Sequence, residues 1–170
     1  MMDGSLVREG QIEDVPFIVD MVRTGSEEGV FHAHPSRSLS VEEQRERFRE
    51  FAFKNRSEGY QLLVFEVDSA IVGYIDSQVK RGVGYILGIY VRENYRAKGI
   101  GKKLMERALD SFRKKRCHKA RLEVFAHNHR AVKFYKHLDF VQEGFLREDE
   151  EKKDAIIMSK FLVYALGQKT

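Results

Sequence analysis

The stretch from Tyr85 to Phe112 constrains this chain more than any other part of it. Tyr85 to Val91 is almost wholly apolar apart from Gly88, a pattern that predicts a strand covered on both faces. Ile100, Leu104, Ala108 and Phe112 then recur every fourth residue, with Met105 and Leu109 beside them. That period predicts an amphipathic helix over 99–116. Between the two lies Val91-Arg-Glu-Asn-Tyr-Arg96-Ala-Lys98-Gly99-Ile-Gly101-Lys102. Glycines in such a loop let backbone approach a ligand closely. The unpaired N–H groups and positive dipole end of the following helix form an anion site. Glycine at a strand–helix junction also serves simply to make the turn. Here Arg96, Lys98 and Lys102 surround it with full charges, which favours a phosphate-bearing ligand. GxxxxGK[ST] and GxGxxG are both absent, so neither a P-loop nor a Rossmann fingerprint accounts for the junction.

The rest of the chain places this unit in a larger sheet. Leu6 to Glu9 reads as a short first strand. Asp14 is a candidate N-cap with Pro16 in the first helical turn, and Phe17, Ile18, Met21 and Val22 form the apolar stripe of the helix that follows. Ser40-Val-Glu-Glu43 fits a capping box opening a second helix with Phe48, Phe51 and Ala52 as apolar positions. Residues 61–67 and 70–75 are β-rich runs, and Asp68-Ser69 between them reads as a hairpin turn. A strand over 120–126, a helix over 128–138, and strands over 141–147 and 155–162 complete the order. Strand, two helices, three strands, helix, strand, helix and two strands predict an α/β (α+β) fold, a mixed sheet covered by helices. No linker or repeat breaks the 170 residues, which read as one domain over 1–170.

Charge and cysteine usage narrow the function classes. The net charge is +4, and its basic excess gathers between Arg96 and Arg121, opposed there only by Glu106 and Asp110. No nucleic-acid motif or interleaved aromatic run accompanies it, so a nucleic-acid partner is not expected. No apolar run is long enough for a bilayer, and Met1 to Gly10 carries no secretory pattern. Cys117 is the only cysteine and fits a reducing, cytoplasmic setting. His32-x-His34 and His127-x-His129 lack the Cys or carboxylate spacing that would complete a metal site, so no metal is expected.

Arg96-Ala97-Lys98-Gly99-Ile100-Gly101 resembles the [R/Q]xxGx[G/A] pyrophosphate loop of the GNAT acetyltransferases. Asn128, Ala131, Tyr135 and Phe140 resemble that family's second signature, with Asp139 where the family has glycine. Positive φ is expected at Asp139, which Asp tolerates better than most residues. The resemblance covers Leu62 to Leu162 well and the first sixty residues in outline. It implies a mostly antiparallel mixed sheet with one splayed parallel pair, and acetyl-CoA as co-substrate in the splay. Backbone of Ile89, Tyr90 and Val91 would hold the pantetheine arm. Residues 96–101, with Lys102, would hold the pyrophosphate, and Asn128 would contact the pantetheine. It further implies direct attack of a primary amine on the thioester, which leaves Cys117 without a nucleophilic role.

Two residues are candidates for the chemistry. Asn128 and Tyr135 are seven apart and share one helical face. Alone, Tyr135 reads first as a core tyrosine whose hydroxyl finds a partner; paired with Asn128 it reads as a general acid, a phenol placed at the leaving thiolate. Glu123 interrupts a β-rich run and shares a face with Arg121 and Phe125. It is either an ion-paired carboxylate or, as the resemblance implies, the base that takes the amine proton. The segments Leu122-Glu-Val124 and Asp154-Ala-Ile-Ile-Met158 are similar to ribosomal-protein N-terminal acetyltransferases. A peptide α-amine is therefore the expected acceptor, to a monomer or homodimer. The alternatives are a small amine, polyamine or antibiotic acetyltransferase, for which Glu27, Glu28, Glu42 and Glu43 would supply acidic residues, and a non-catalytic acyl-CoA-binding module.

Overall fold

A computed structural model describes residues 5–30, 40–50, 59–149 and 152–162 of the chain. Among these residues seven strands form one sheet in the order β1-β2-β3-β4-β5-β7-β6. They are β1 (Ser5–Glu9), β2 (Tyr60–Val67), β3 (Ala70–Lys80), β4 (Val83–Val91), β5 (Lys119–Phe125), β6 (Val141–Leu146) and β7 (Ala155–Phe161). Every neighbouring pair is antiparallel except β4 and β5, which run parallel. The helices are α1 (Val15–Glu27), α2 (Val41–Arg49), α3 (Ile100–Lys114) and α4 (His129–His137). The family fold implied by the sequence, a mostly antiparallel mixed sheet flanked by helices, is the observed one.

The helices divide between the two faces of the sheet. Leu104, Met105, Ala108 and Phe112 of α3 and Tyr135 of α4 pack with Leu63, Phe65, Ile75 and Ile86. Ile18, Met21 and Val22 of α1 and Phe48 of α2 pack with Leu62, Val64, Tyr74 and Tyr90. Ile86 and Tyr90 have the same parity along β4 and still face opposite sides. The reason is a bulge: Asp76 pairs with Gly88 and Ser77 with Ile86, leaving Leu87 without an opposite residue. One extra residue flips the pleat, as period-two geometry requires.

Several local readings hold, and others need correction. Asp68 and Ser69 both adopt positive φ, the geometry of a two-residue hairpin turn. Ser40 Oγ accepts from Glu43 N while Ser40 N donates to Glu43 Oε2, which completes the capping box. Asp139 has φ +62°. Asp14 sits at the N-cap position, but its carboxylate does not cap the helix. It instead accepts two hydrogen bonds from Arg8, at 2.7 and 2.9 Å, and one from Gln11 N at 2.8 Å, which hold it on the residues before the helix. Phe17 is half exposed and lies off the α1 stripe. β4 is covered on both faces, with Ile86 in the core under α3 and Tyr90 in the core under α1, and only its bulge residue Leu87 is exposed. β3 extends beyond the apolar run to Lys80, since the β4 partner, not hydrophobicity, sets its length. His32, His34, Phe51 and Ala52 lie outside the described residues.

One buried carboxyl sets a pH dependence. Asp76 of β3 is buried, and its Oδ2 accepts from the Tyr60 hydroxyl at 2.9 Å. Oδ1 has no protein partner among the described residues. Burial pushes the carboxyl up from its ordinary 3.8 to about 7, against the opposing hydrogen bonds from Tyr60 and its own backbone. A raised folded-state pKa means the folded protein holds this proton when the unfolded chain has lost it. Its stabilising contribution is full below about pH 4 and is lost as pH rises to about 7. Asp76→Asn should remove that dependence, worth about 2–4 kcal/mol between the two limits. Urea midpoints of both proteins from pH 4 to 8 test this; parallel profiles would exclude Asp76 as the source.

Candidate active site

β4 and β5 pair only at Val83–Lys119, Gly84–Ala120 and Tyr85–Arg121. Beyond Tyr85 the strands separate, immediately before the bulge at Leu87. A bulge bends a strand and increases its local twist, which carries β4 away from its parallel neighbour. From Ile86 to Val91 that edge of β4 has no strand partner among the described residues, so alternate backbone N–H and C=O groups face the gap. The gap is a cleft of about 470 Å³. Ile86 to Val91 line one wall, Leu122 to Val124 the other, and Ala97, Gly99, Ile100 and Gly101 close one end.

That end is built for an anion. Ala97 and Gly99 both adopt positive φ, at 59° and 80°, on either side of Lys98. Alternation of this kind turns successive N–H groups toward one concavity. Gly99 is also the N-cap of α3 and offers no side chain to the first-turn amides. The helix therefore presents unsatisfied N–H groups and its positive dipole end to the cleft. The basic side chains take different positions. Lys102 lines the cleft and is 3.8 Å from Glu106. Lys98 does not line it; its ammonium lies 5.1 Å from the Tyr95 ring centroid. The Arg96 guanidinium is committed to protein: Nε donates to Val91 O at 2.8 Å and Nη2 to Glu28 Oε2 at 2.7 Å. Arg130 also lines the cleft, is exposed, and has no ion-pair partner among the described residues.

The two candidates for chemistry face the same space. Tyr135 is buried with its ring between Phe134 and Phe140, and it lines the cleft. Its hydroxyl makes no hydrogen bond among the described residues, so the partner a core tyrosine requires is not supplied by them. Burial pushes its phenol well above the ordinary value, so it stays protonated through the physiological range. Glu123 lines the opposite wall on β5, with Arg121 Nη2 donating to its Oε1 at 3.0 Å. Asn128 lines the cleft too, but its side chain is engaged: Oδ1 caps α4 by accepting from Ala131 N at 3.1 Å, and Nδ2 donates to Val30 O at 3.3 Å. All the other sequence-predicted site residues, Lys98 excepted, line this one cleft.

Sequence reasoning missed Val30 and Arg130, and it named Glu28 only among the acidic residues a polyamine acceptor would call for. Glu28 and Val30 line the cleft from the end of α1. The Tyr90 hydroxyl donates to Glu28 Oε1 at 2.9 Å; burial first, then this bond, pushes the phenol up to about 12. Arg130 was detectable from its place beside Ala131 in the second signature. Glu28 carried no local signal, because its role depends on partners 62 and 68 residues away. Cys117 is fully buried and lies outside the cleft, and burial raises its thiol pKa; all three features disfavour a nucleophile. No group of three or more His, Cys, Asp or Glu suited to a metal occurs among the described residues.

Comparison with known proteins agrees with this geometry. A family model described as the acetyltransferase (GNAT) family matches residues 29–140. An N-alpha-acetyltransferase of Saccharolobus solfataricus is 29% identical over 119 residues, 60% of this chain and 70% of that protein. A spermidine N(1)-acetyltransferase of Thermoplasma acidophilum is 30% identical over 94 residues. That match spans only 55% of each chain. The crystal structure of a ribosomal-protein-alanine N-acetyltransferase from Brucella melitensis superposes with a TM-score of 0.78 at 20% identity, over 92% of this chain and 99% of that one.

Proposed function

The chain belongs to the acetyltransferase (GNAT) family, and from that premise we propose that it transfers the acetyl group of acetyl-CoA directly to a peptide or protein α-amine. The carrying observation is the cleft itself. It has an anion-binding end at Gly99, a free strand edge along β4, and Tyr135 and Glu123 in its walls. Residues 96–102 take the pyrophosphate, and the edge of β4 takes the pantetheine arm. Glu123, directly or through water, receives the proton of the attacking amine. Tyr135 protonates the departing coenzyme A thiolate. No acyl-enzyme is needed, since the amine and thioester are held together and proximity replaces a covalent intermediate.

The acceptor class follows from charge. A polyamine carries several positive charges and calls for several free carboxylates around its path. Among the described residues the carboxylates that line the cleft are Glu28 and Glu123, each ion-paired with an arginine. Glu42 faces Arg45 and Arg49, and Glu43 is engaged in the α2 capping box. An α-amine suits this sparse acidity. Its pKa is about 8 against about 10.4 for lysine, so a single modest base suffices to free it. A competition assay tests the acceptor: equal concentrations of free peptides, N-terminally blocked lysine peptides and spermidine, with thiol release and mass spectrometry as readouts. Free N-termini are expected to take most of the acetyl groups. Preference for spermidine or blocked peptides would replace the α-amine with that acceptor and leave acetyl transfer standing.

A further inference from the structure

α1 ends in a tightly specified way. Glu28 is its C-cap, and Gly29 follows with φ +67°. Val30 N donates to Gly25 O and Gly29 N to Ser26 O, the paired bonds of a Schellman motif. This fixes the Glu28 side chain and the Val30 carbonyl relative to α1. Both then reach across the cleft to different walls. Glu28 accepts from Tyr90 and Arg96 on the β4 side. Val30 O accepts from Asn128 at the head of α4, on the β5 side. The segment 28–30 is thus a strap joining two arms that the sheet itself leaves unjoined beyond Tyr85.

We propose that Glu28 is a positioning residue whose clasp on Arg96 and Tyr90 couples occupancy of the coenzyme cleft to the strap 28–30 on the α1 side of the sheet. The inference rests on the acetyltransfer reading for what fills the cleft. A strap with contacts on both arms closes only at one separation of those arms. A ligand between the arms sets that separation and orders the 96–101 loop, where Arg96 begins. The strap lies on the α1 side of the sheet, as Tyr90 does, while α3 and its anion site lie on the other face. The acceptor must approach the thioester from the side that the coenzyme leaves open, which is the α1 side. Coupling of this kind is reciprocal: whatever orders the strap also favours the closed cleft. The same clasp explains why Arg96, at the first position of an anion loop, spends two donors on Val91 and Glu28. The backbone nest, Lys102 and Arg130 are left to meet phosphate.

Hydrogen exchange with and without coenzyme A reads the coupling without catalysis. In the wild type, coenzyme A should slow exchange both in the 96–101 loop and in a peptide covering Thr24 to Val30. Glu28→Gln keeps the shape and removes the charge; protection should persist in the loop and be lost from 24–30. Steady-state kinetics add a second readout. At saturating acetyl-CoA, Glu28→Gln should raise the acceptor KM roughly tenfold, more than it changes coenzyme affinity. Adding Arg96→Gln to Glu28→Gln should cost little more, because the pair acts as one unit. Undiminished protection of 24–30 in Glu28→Gln, or additive KM effects, would overturn the coupling. If Glu28→Gln does not fold, Tyr90→Phe removes one contact and must still weaken protection of 24–30; unchanged protection overturns the proposal equally. A wild type that acetylates no peptide α-amine while showing the exchange pattern would refute the acceptor and leave the clasp intact.

Discussion

Tyr135→Phe is expected to lower turnover on the order of a hundredfold while leaving acetyl-CoA affinity near the wild-type value. The substitution keeps the ring that packs between Phe134 and Phe140 and deletes only the hydroxyl. Burial holds this phenol well above its usual pKa, which at first sight makes it a poor acid for a thiolate whose conjugate acid sits at about 8.5 in water. The thiolate, however, is released into the same enclosed space. Desolvation raises the basicity of an anionic sulfur as it raises that of a phenolate, so the two are brought closer together. The proton stays on Tyr135 until charge develops on sulfur and is then drawn across. Single-turnover kinetics with calorimetry separates this from a packing role. A folded Tyr135→Phe protein with unchanged kcat would make Tyr135 a core residue whose open hydroxyl has no catalytic task.

The parts legible in the sequence were those fixed by local pattern. The strand–loop–helix unit over 85–112 was readable because periodicity switches from two to 3.6 within it. Its ends agree with the structure to within a few residues. Hairpin and capping chemistry at Asp68-Ser69 and Ser40–Glu43 was readable for the same reason. The bulge at Leu87 was not, although it decides the site. Nothing in the run Tyr85 to Val91 marks which residue will lose its partner, because registry depends on β3. The missing cap bond of Asp14, which does occupy the N-cap position, has the same origin: Arg8 across the turn from β1 engages its carboxylate. The double engagement of Asn128 was likewise hidden. Its spacing from Tyr135 located it correctly, but spacing does not show that Val30, 98 residues earlier, accepts from its amide. Long-range polar contacts thus account for most of what the pattern left out.

Gly99→Val should abolish tight acetyl-CoA binding, raising the dissociation constant a hundredfold or more while the protein remains folded. Two effects act together. Gly99 holds φ +80°, a region in which a β-branched residue costs on the order of 1–3 kcal/mol. Relief of that strain would rotate the N-cap and misdirect the amides of the first turn of α3. The second effect is occupation of space. A Cβ built at Gly99 meets no protein atom within 4 Å, so the fold does not reject the side chain. It would project into room at the anion end of the cleft, where the pyrophosphate must approach backbone N–H groups to about 2.9 Å. Gly101 differs in kind. It sits inside α3, and a Cβ there makes ordinary contact with the Phe134 ring at 3.4 Å. Gly101→Ala should therefore bind acetyl-CoA much as the wild type does, whereas the extra methyls of Gly101→Val enlarge the intrusion. Isothermal calorimetry at two salt concentrations resolves these terms. Wild-type binding should weaken as salt rises, since it joins a polyanion to a positive site. Gly99→Val should show little binding at either concentration. Retention of wild-type affinity by folded Gly99→Val would mean that the ligand's phosphates do not sit against this turn, and the anion site would have to be sought around Lys102 and Arg130 alone.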